Sequence, residues 1–171
     1  MKKYFLITLL ITSISNFAQV SIFDVARKGT VAQMNAILSN APELMETITP
    51  QGFTPLILAC YNGNVAVASF LIQHKADVNF NSSNGTALMA AVVKNDKTLT
   101  LLLLEAKANV DLQDKNGFTA LHYAIQFRNY EMIALLMQFH ANSNIKDNSG
   151  MSAIDYALKL KDEQIQQLLN L

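Results

Sequence analysis

The sequence of 171 residues holds one cysteine, Cys60. A single thiol excludes a disulfide within the chain, so the fold must be held by its core alone. Charge is sparse and balanced, with 13 basic against 13 acidic residues. No run of Lys or Arg stands out, which argues against a phosphate-neutralising face and against nucleic acid as a partner. No apolar run approaches the roughly 20 residues of a membrane-spanning helix. The glycines, Gly63 and Gly85 among them, form no phosphate-binding loop. Ser, His and Asp residues show neither the elbow nor the spacing of a catalytic triad. What the chain has in quantity is apolar residues, 51% of the total. That supports a continuous core and argues against disorder.

The first residues read as an address. Met1-Lys2-Lys3 is a positive start, and Tyr4 to Ile14 is an apolar run of 11 residues without a charge. Ser15-Asn16-Phe17-Ala18-Gln19 follows, and Ala18 suits a signal-peptidase cut before Gln19. The short basic opening resembles bacterial Sec signals, and no cysteine lies near the cut to carry a lipid anchor. Residues 1–18 are therefore expected to be a signal peptide. The expected localisation is periplasmic or secreted, with no stable membrane insertion after cleavage.

Beyond the leader the chain repeats itself. Gly52-Phe53-Thr54-Pro55-Leu56-Ile57-Leu58-Ala59 aligns with Gly85-Thr86-Ala87-Leu88-Met89-Ala90-Ala91, with Gly117-Phe118-Thr119-Ala120-Leu121-His122-Tyr123-Ala124 and with Gly150-Met151-Ser152-Ala153-Ile154-Asp155-Tyr156-Ala157. The final alanines are 32, 33 and 33 residues apart. Leu71, Leu103, Leu136 and Leu169 each follow twelve residues later, a self-similarity that marks a solenoid. Asp114, Asn116 and Gly117, like Asp147, Asn148 and Gly150, are turn formers. Thr54, Thr86, Thr119 and Ser152 are placed to cap a first helix, with Pro55 in a first turn where its missing N–H costs nothing. Asn62-Gly63, Asn95-Asp96, Arg128-Asn129 and Lys161-Asp162 break that helix. A second follows, with Val67, Ala68, Leu71 and Ile72, or Met132, Ile133, Leu136 and Met137, on one face.

These residues resemble the ankyrin repeat family. Its Thr-Pro-Leu-His-x-Ala signature is best matched by Thr119-Ala120-Leu121-His122-Tyr123-Ala124, and in part by Thr54-Pro55-Leu56. Its Gly-Ala-Asp-Val-Asn signature is best matched by Lys75-Ala76-Asp77-Val78-Asn79. The resemblance runs from Ile22 to the C-terminus. It implies an all-α, right-handed ankyrin-repeat solenoid of about five helix-turn-helix units with β-turn tips. The units are an N-terminal cap over 19–49, repeats over 50–81, 82–114 and 115–147, and a C-terminal cap over 148–171. In the N-terminal cap Val25 is expected in the place of Ala59. Lys75, Lys107 and His140 stand where the family has glycine, so left-handed backbone is expected at each, at a cost on the order of 1 kcal/mol. The unit around Gly85 lacks a residue at its tip and is expected to be the least regular.

Chemistry finds little footing. His122 falls in a first helix, and His74 and His140 fall at second-helix exits two units apart, too far for a shared zinc ion. Cys60 sits beside Ala59 in a packed helix with nothing basic next to it in sequence. No catalytic residue, cofactor or metal is expected, and an enzyme is the remotest reading. What remains is a binding surface. The resemblance implies a protein partner docked on the concave face, which maps to Arg27, Lys28, Phe53, Tyr61, Asn62, Val93, Lys94, Phe118, Gln126, Phe127, Met151, Lys159 and Leu160. Phe53, Phe118 and Met151 follow turn glycines, where the core requires nothing large. Either they bind a partner or they pack sideways on adjacent tips. The expected function is an exported protein-binding module, acting as an adaptor, a sequestering agent or a chaperone. A stoichiometric inhibitor, or an immunity protein against an exported toxin, is the alternative.

Overall fold

The computed structural model describes residues 21–171, and the expected signal segment lies outside them. Among the described residues ten α-helices stand in five pairs: α1 (Ile22–Lys28) with α2 (Val31–Asn40), α3 (Pro55–Tyr61) with α4 (Val65–Gln73), α5 (Ala87–Val93) with α6 (Lys97–Glu105), α7 (Ala120–Gln126) with α8 (Tyr130–Gln138), and α9 (Ala153–Leu160) with α10 (Glu163–Leu168). A short 3-10 turn, Pro42–Glu46, follows α2. The fold is an all-α repeat solenoid.

The odd-numbered helices form the inner layer. Six of the seven residues of α3, and six of the seven of α5, are buried, because each helix is flanked by its neighbours and backed by a second helix. Their fifth residues, Ala26, Ala59, Ala91, Ala124 and Ala157, are fully buried. A methyl group there is what lets adjacent helices approach. The even-numbered helices bury one face only. Val67, Ala68 and Leu71, and again Met132, Ile133 and Leu136, point inward at the i, i+1, i+4 spacing of an amphipathic helix.

Each unit is punctuated by the same devices. Thr54, Thr86, Thr119 and Ser152 accept from the third helical N–H of α3, α5, α7 and α9. The second helices are capped from the break itself in three units and from the residue just after it in the unit of α3 and α4. Asn64, Asp96, Asn129 and Asp162 accept from Val67, Leu99, Met132 and Ile165. Left-handed backbone recurs at both helix exits of a unit, besides the positive-φ glycines Gly52, Gly85, Gly117 and Gly150 at the tips. Asn95, Arg128 and Lys161, with φ of 55°, 51° and 51°, follow first helices; Lys75, Lys107 and His140, with φ of 70°, 68° and 63°, follow second helices. At the second-helix exits the chain then folds back, and Ala76, Ala108 and Ala141 donate to the carbonyls of Leu71, Leu103 and Leu136, closing Schellman motifs.

The N-terminal pair departs from this plan. Two residues separate α1 from α2, where three separate α3 from α4. No left-handed residue is used, and Gly29 has φ −86°. A Cβ on Gly29 would lie 2.6 Å from Val25 Cα, so the glycine serves close approach. Counted from the helix start, Ala26 takes the place of Ala59. The expectation of Val25 is corrected by one residue, because it spanned a turn that is one residue shorter. The shortened tip before α5 is also visible. Ser82 and Gly85 pair directly, where Thr49, Asp114 and Asp147 pair with Phe53, Phe118 and Met151.

Units are tied to one another by side-chain rungs. Asp77 N–H donates to Glu46, Asn109 N–H to Asn79, and Asn142 N–H to Asp111, at 2.9, 2.7 and 2.9 Å. Asn81 Nδ2 donates to Gln113 O, and Gln113 Nε2 in turn to Lys146 O. These rungs satisfy loop backbone that no sheet covers.

Candidate functional site: a groove across the inner helices

The residue just before each repeat alanine decides the shape of the concave side. It is Leu58 in α3, Ala90 in α5, Tyr123 in α7 and Tyr156 in α9. Both tyrosines are half-buried and anchored. Tyr123 Oη donates to Asp114 and Tyr156 Oη to Asp147, each at 2.6 Å. Asp114 and Asp147 also accept from the amides of their own turns, Asn116 with Phe118 and Ser149 with Met151. Burial pushes the Tyr123 hydroxyl well above its ordinary value, and the Asp114 carboxylate adds to that. Burial alone would raise the Asp147 carboxyl. Donation from Tyr156 and Ser149 and from the turn amides outweighs it and holds the group well below the usual carboxylate range.

Phe118 completes this wall. Its ring stacks on His122 at 5.4 Å and meets Tyr123 and Tyr156 edge-on at 5.4 and 5.9 Å. Of the two roles open to Phe118, sideways packing is the one the geometry shows. His122 is fully buried, with Nδ1 at 2.8 Å from Thr119 Oγ1 and Nε2 at 3.4 Å from Met151 O of the next unit. Burial lowers its basicity; the Met151 carbonyl and the Asp147 and Asp114 charges oppose this without overcoming it.

Where the tyrosines stop, the surface opens. A groove of about 650 Å³ lies over α3 and α5, lined by Arg27, Gln51, Phe53, Ile57, Leu58, Tyr61, Asn62, Asn84, Thr86, Met89, Ala90, Val93 and Tyr123. It exists because Ala90 offers a methyl group where the following unit has a ring. Tyr61 is 51% exposed at its rim, and Lys94 Nζ lies 5.0 Å from the centre of the Tyr61 ring. A smaller hollow lies between Val93, Phe127 and Tyr130.

The structure thus brings five of the expected surface residues, Arg27, Phe53, Tyr61, Asn62 and Val93, to one groove, with Lys94 against it. Phe127 is 59% exposed beside the smaller hollow. Lys28, Gln126 and Lys159 are exposed at the ends of first helices, outside the groove; Phe118, Met151 and Leu160 are half-buried. Sequence reasoning missed Leu58, Met89 and Ala90, which form the floor. The signal for Leu58 and Ala90 was the change from Leu and Ala to Tyr at one repeat position; Met89 carried none.

Cys60 is fully buried, and burial first, then the Asp96 charge, pushes its thiol well up, so it stays protonated and inert. No group of three or more metal-ligating side chains occurs among the described residues, and no helix among them is long and apolar enough to cross a membrane.

A stack of capped helix pairs with an open groove along its inner helices defines a repeat-solenoid binding scaffold. The family description "Ankyrin repeats (3 copies)" matches residues 22–114 and again 94–170, and the chain belongs to the ankyrin repeat family. It is similar to ankyrin repeat and SAM domain-containing protein 6 of Rattus norvegicus, 33% identical over 101 residues, which is 58% of this chain and 11% of the rat protein. It is similar too to an ankyrin repeat-containing protein of Treponema pallidum, 33% identical over 104 residues, 60% of this chain and 35% of that one. The human NAD-capped RNA hydrolase NUDT12 matches at 35% over 83 residues, 48% of this chain and 18% of the hydrolase. The chain spans only a small part of these relatives, and the shared part is the repeat region. Ankyrin repeats generally mediate protein–protein interaction.

Proposed function

We propose that this chain is an exported protein-binding module that holds its partner in the groove over α3 and α5. The observation that carries the reading is the groove itself. Leu58 and Ala90 lie beneath an open concavity rimmed by Phe53, Tyr61 and Val93, while the same repeat position toward the C-terminus holds the rings of Tyr123 and Tyr156. The exposed apolar groups at its rim, Tyr61 and Val93, gathered about one concavity favour burial against another molecule. Export rests on the charged, apolar and small-residue pattern of residues 1–18, which would place residues 19–171 in the periplasm or outside the cell. The working part would then act by occupancy, as an adaptor, sequestering agent or chaperone, with no chemistry of its own.

The test uses the mature chain as bait for photocrosslinking in envelope extract, alongside Ala90→Tyr. A tyrosine at residue 90 would fill the groove as Tyr123 and Tyr156 fill theirs. A partner captured by the native chain and lost with Ala90→Tyr supports the reading. A partner retained by Ala90→Tyr and lost on changing the outer face of α4 and α6 overturns it.

A further inference from the structure

The chemistry of the partner can be taken one step further, resting on the groove assigned above. We infer that the groove takes an extended peptide segment in which one large apolar residue stands between two carboxylates. The lining is mostly apolar, Ala90 lies midway along α5 where one apolar anchor would sit, and Met89 beneath is an adaptable side chain. The groove's length is set by α5, whose seven residues span about 10 Å.

Each end of α5 carries a cation at the rim. Lys94 caps its C-terminus and lies over Tyr61. Lys115 reaches back from the next tip to place Nζ 3.4 Å from Asn84 Oδ1, just before the Thr86 cap. Among the described residues neither lysine has an ion-pair partner, although the chain holds as many acids as bases. No lining residue is acidic. The carboxylates that touch the lining are engaged: Asp24 with Arg27 at 3.1 Å, and Asp114 with Tyr123 and its turn amides.

In an extended peptide, residues i, i+2 and i+4 share one face and span about 13 Å. An acidic residue, a spacer, an apolar residue, a spacer and a second acidic residue therefore match a floor between two ammonium groups. Long lysine stems absorb the difference in length.

A displayed library of random peptides, selected on residues 19–171, tests this. The expected consensus has Asp or Glu two residues to either side of Leu, Ile, Met or Phe. A synthetic peptide of that consensus, followed by fluorescence anisotropy, should bind about tenfold more weakly to the double variant Lys94→Glu, Lys115→Glu. Selection on that variant should return Lys or Arg flanks. Both lysines are exposed, so this variant should keep its circular dichroism melt. Neutral or basic flanks on the native chain, flanks unchanged by the double variant, or no enrichment at all would each overturn the inference. A crosslinked partner that still required the open groove would meanwhile leave the functional reading standing, with a folded surface as its ligand.

Discussion

Lys107 sits at a helix exit with φ 68° and an exposed side chain. The family signature alone forecast this left-handed geometry, because a Schellman exit imposes it whatever residue occupies the site. Lys107→Gly should relieve the strain of a Cβ there and raise stability by at most about 1 kcal/mol, offset in part by the freer unfolded chain. A urea midpoint lowered by more than that would show that the lysine stem contributes a contact. His122 offers a second test. Its basicity is lowered chiefly by burial, so the fold prefers the neutral ring, and its contribution to stability is complete above the unfolded value of about 6.5. That contribution declines as pH falls from about 6.5 toward the lowered folded value, since the unfolded chain then binds the extra proton. Urea melts between pH 7.5 and 5 should lose stability on acidification, and His122→Gln should flatten that slope. The depressed Asp147 and Asp155 carboxyls act in the same direction but only below about pH 4, which keeps the two windows apart. An equal slope in both proteins would place the proton uptake elsewhere.

At the scale of the element, the repeat phase carried most of the information. Alanines at a fixed interval, threonines five residues before them, and leucines twelve after them set both helices of each unit, because each position is tied to a contact that recurs. Ala124 is fully buried in the middle of α7. Ala124→Leu inserts three carbons between helices that touch there, and should cost about 1–3 kcal/mol through overpacking. An unchanged urea midpoint would contradict the inner-layer register. What the phase did not disclose was the α1–α2 turn, where one residue is missing and Gly29 replaces a left-handed exit with a close approach to Val25. Such a turn obeys no signature, so the alignment slipped by one residue. The double use of Asp96, Asn129 and Asp162, as helix breakers and as caps, was half legible, and the cap at Asn64 was not. The side chain that ends one helix is chosen for the hydrogen bond that starts the next.

Across the whole molecule, the concave side divides into a filled half and an open half. The sequence placed large residues on this side but could not sort them, since sorting depends on which rings meet across units. Phe118 and Phe127 are both expected on the concave face, yet one packs against His122, Tyr123 and Tyr156 and the other is 59% exposed. The difference originates at two neighbouring positions. Tyr123 and Tyr156 are each held upright by a turn aspartate, and together they build a socket that receives Phe118. Phe127 instead follows the last residue of α7 and faces a hollow with Val93. The two phenylalanines should therefore separate stability from binding. Phe118→Ala removes a half-buried ring with three aromatic neighbours and should cost about 2 kcal/mol, lowering the melting temperature by several degrees. Phe127→Ala should leave the melt within about 0.5 kcal/mol of the native chain, as surface substitutions do. If the partner reaches past Val93 into the second hollow, Phe127→Ala should weaken its binding by about tenfold or more, the loss expected of an exposed aromatic anchor. Thermal melts of both variants, run beside binding to the crosslinked partner, decide the matter. A large drop in melting temperature for Phe127→Ala, with none for Phe118→Ala, would invert the division between the filled and the open half.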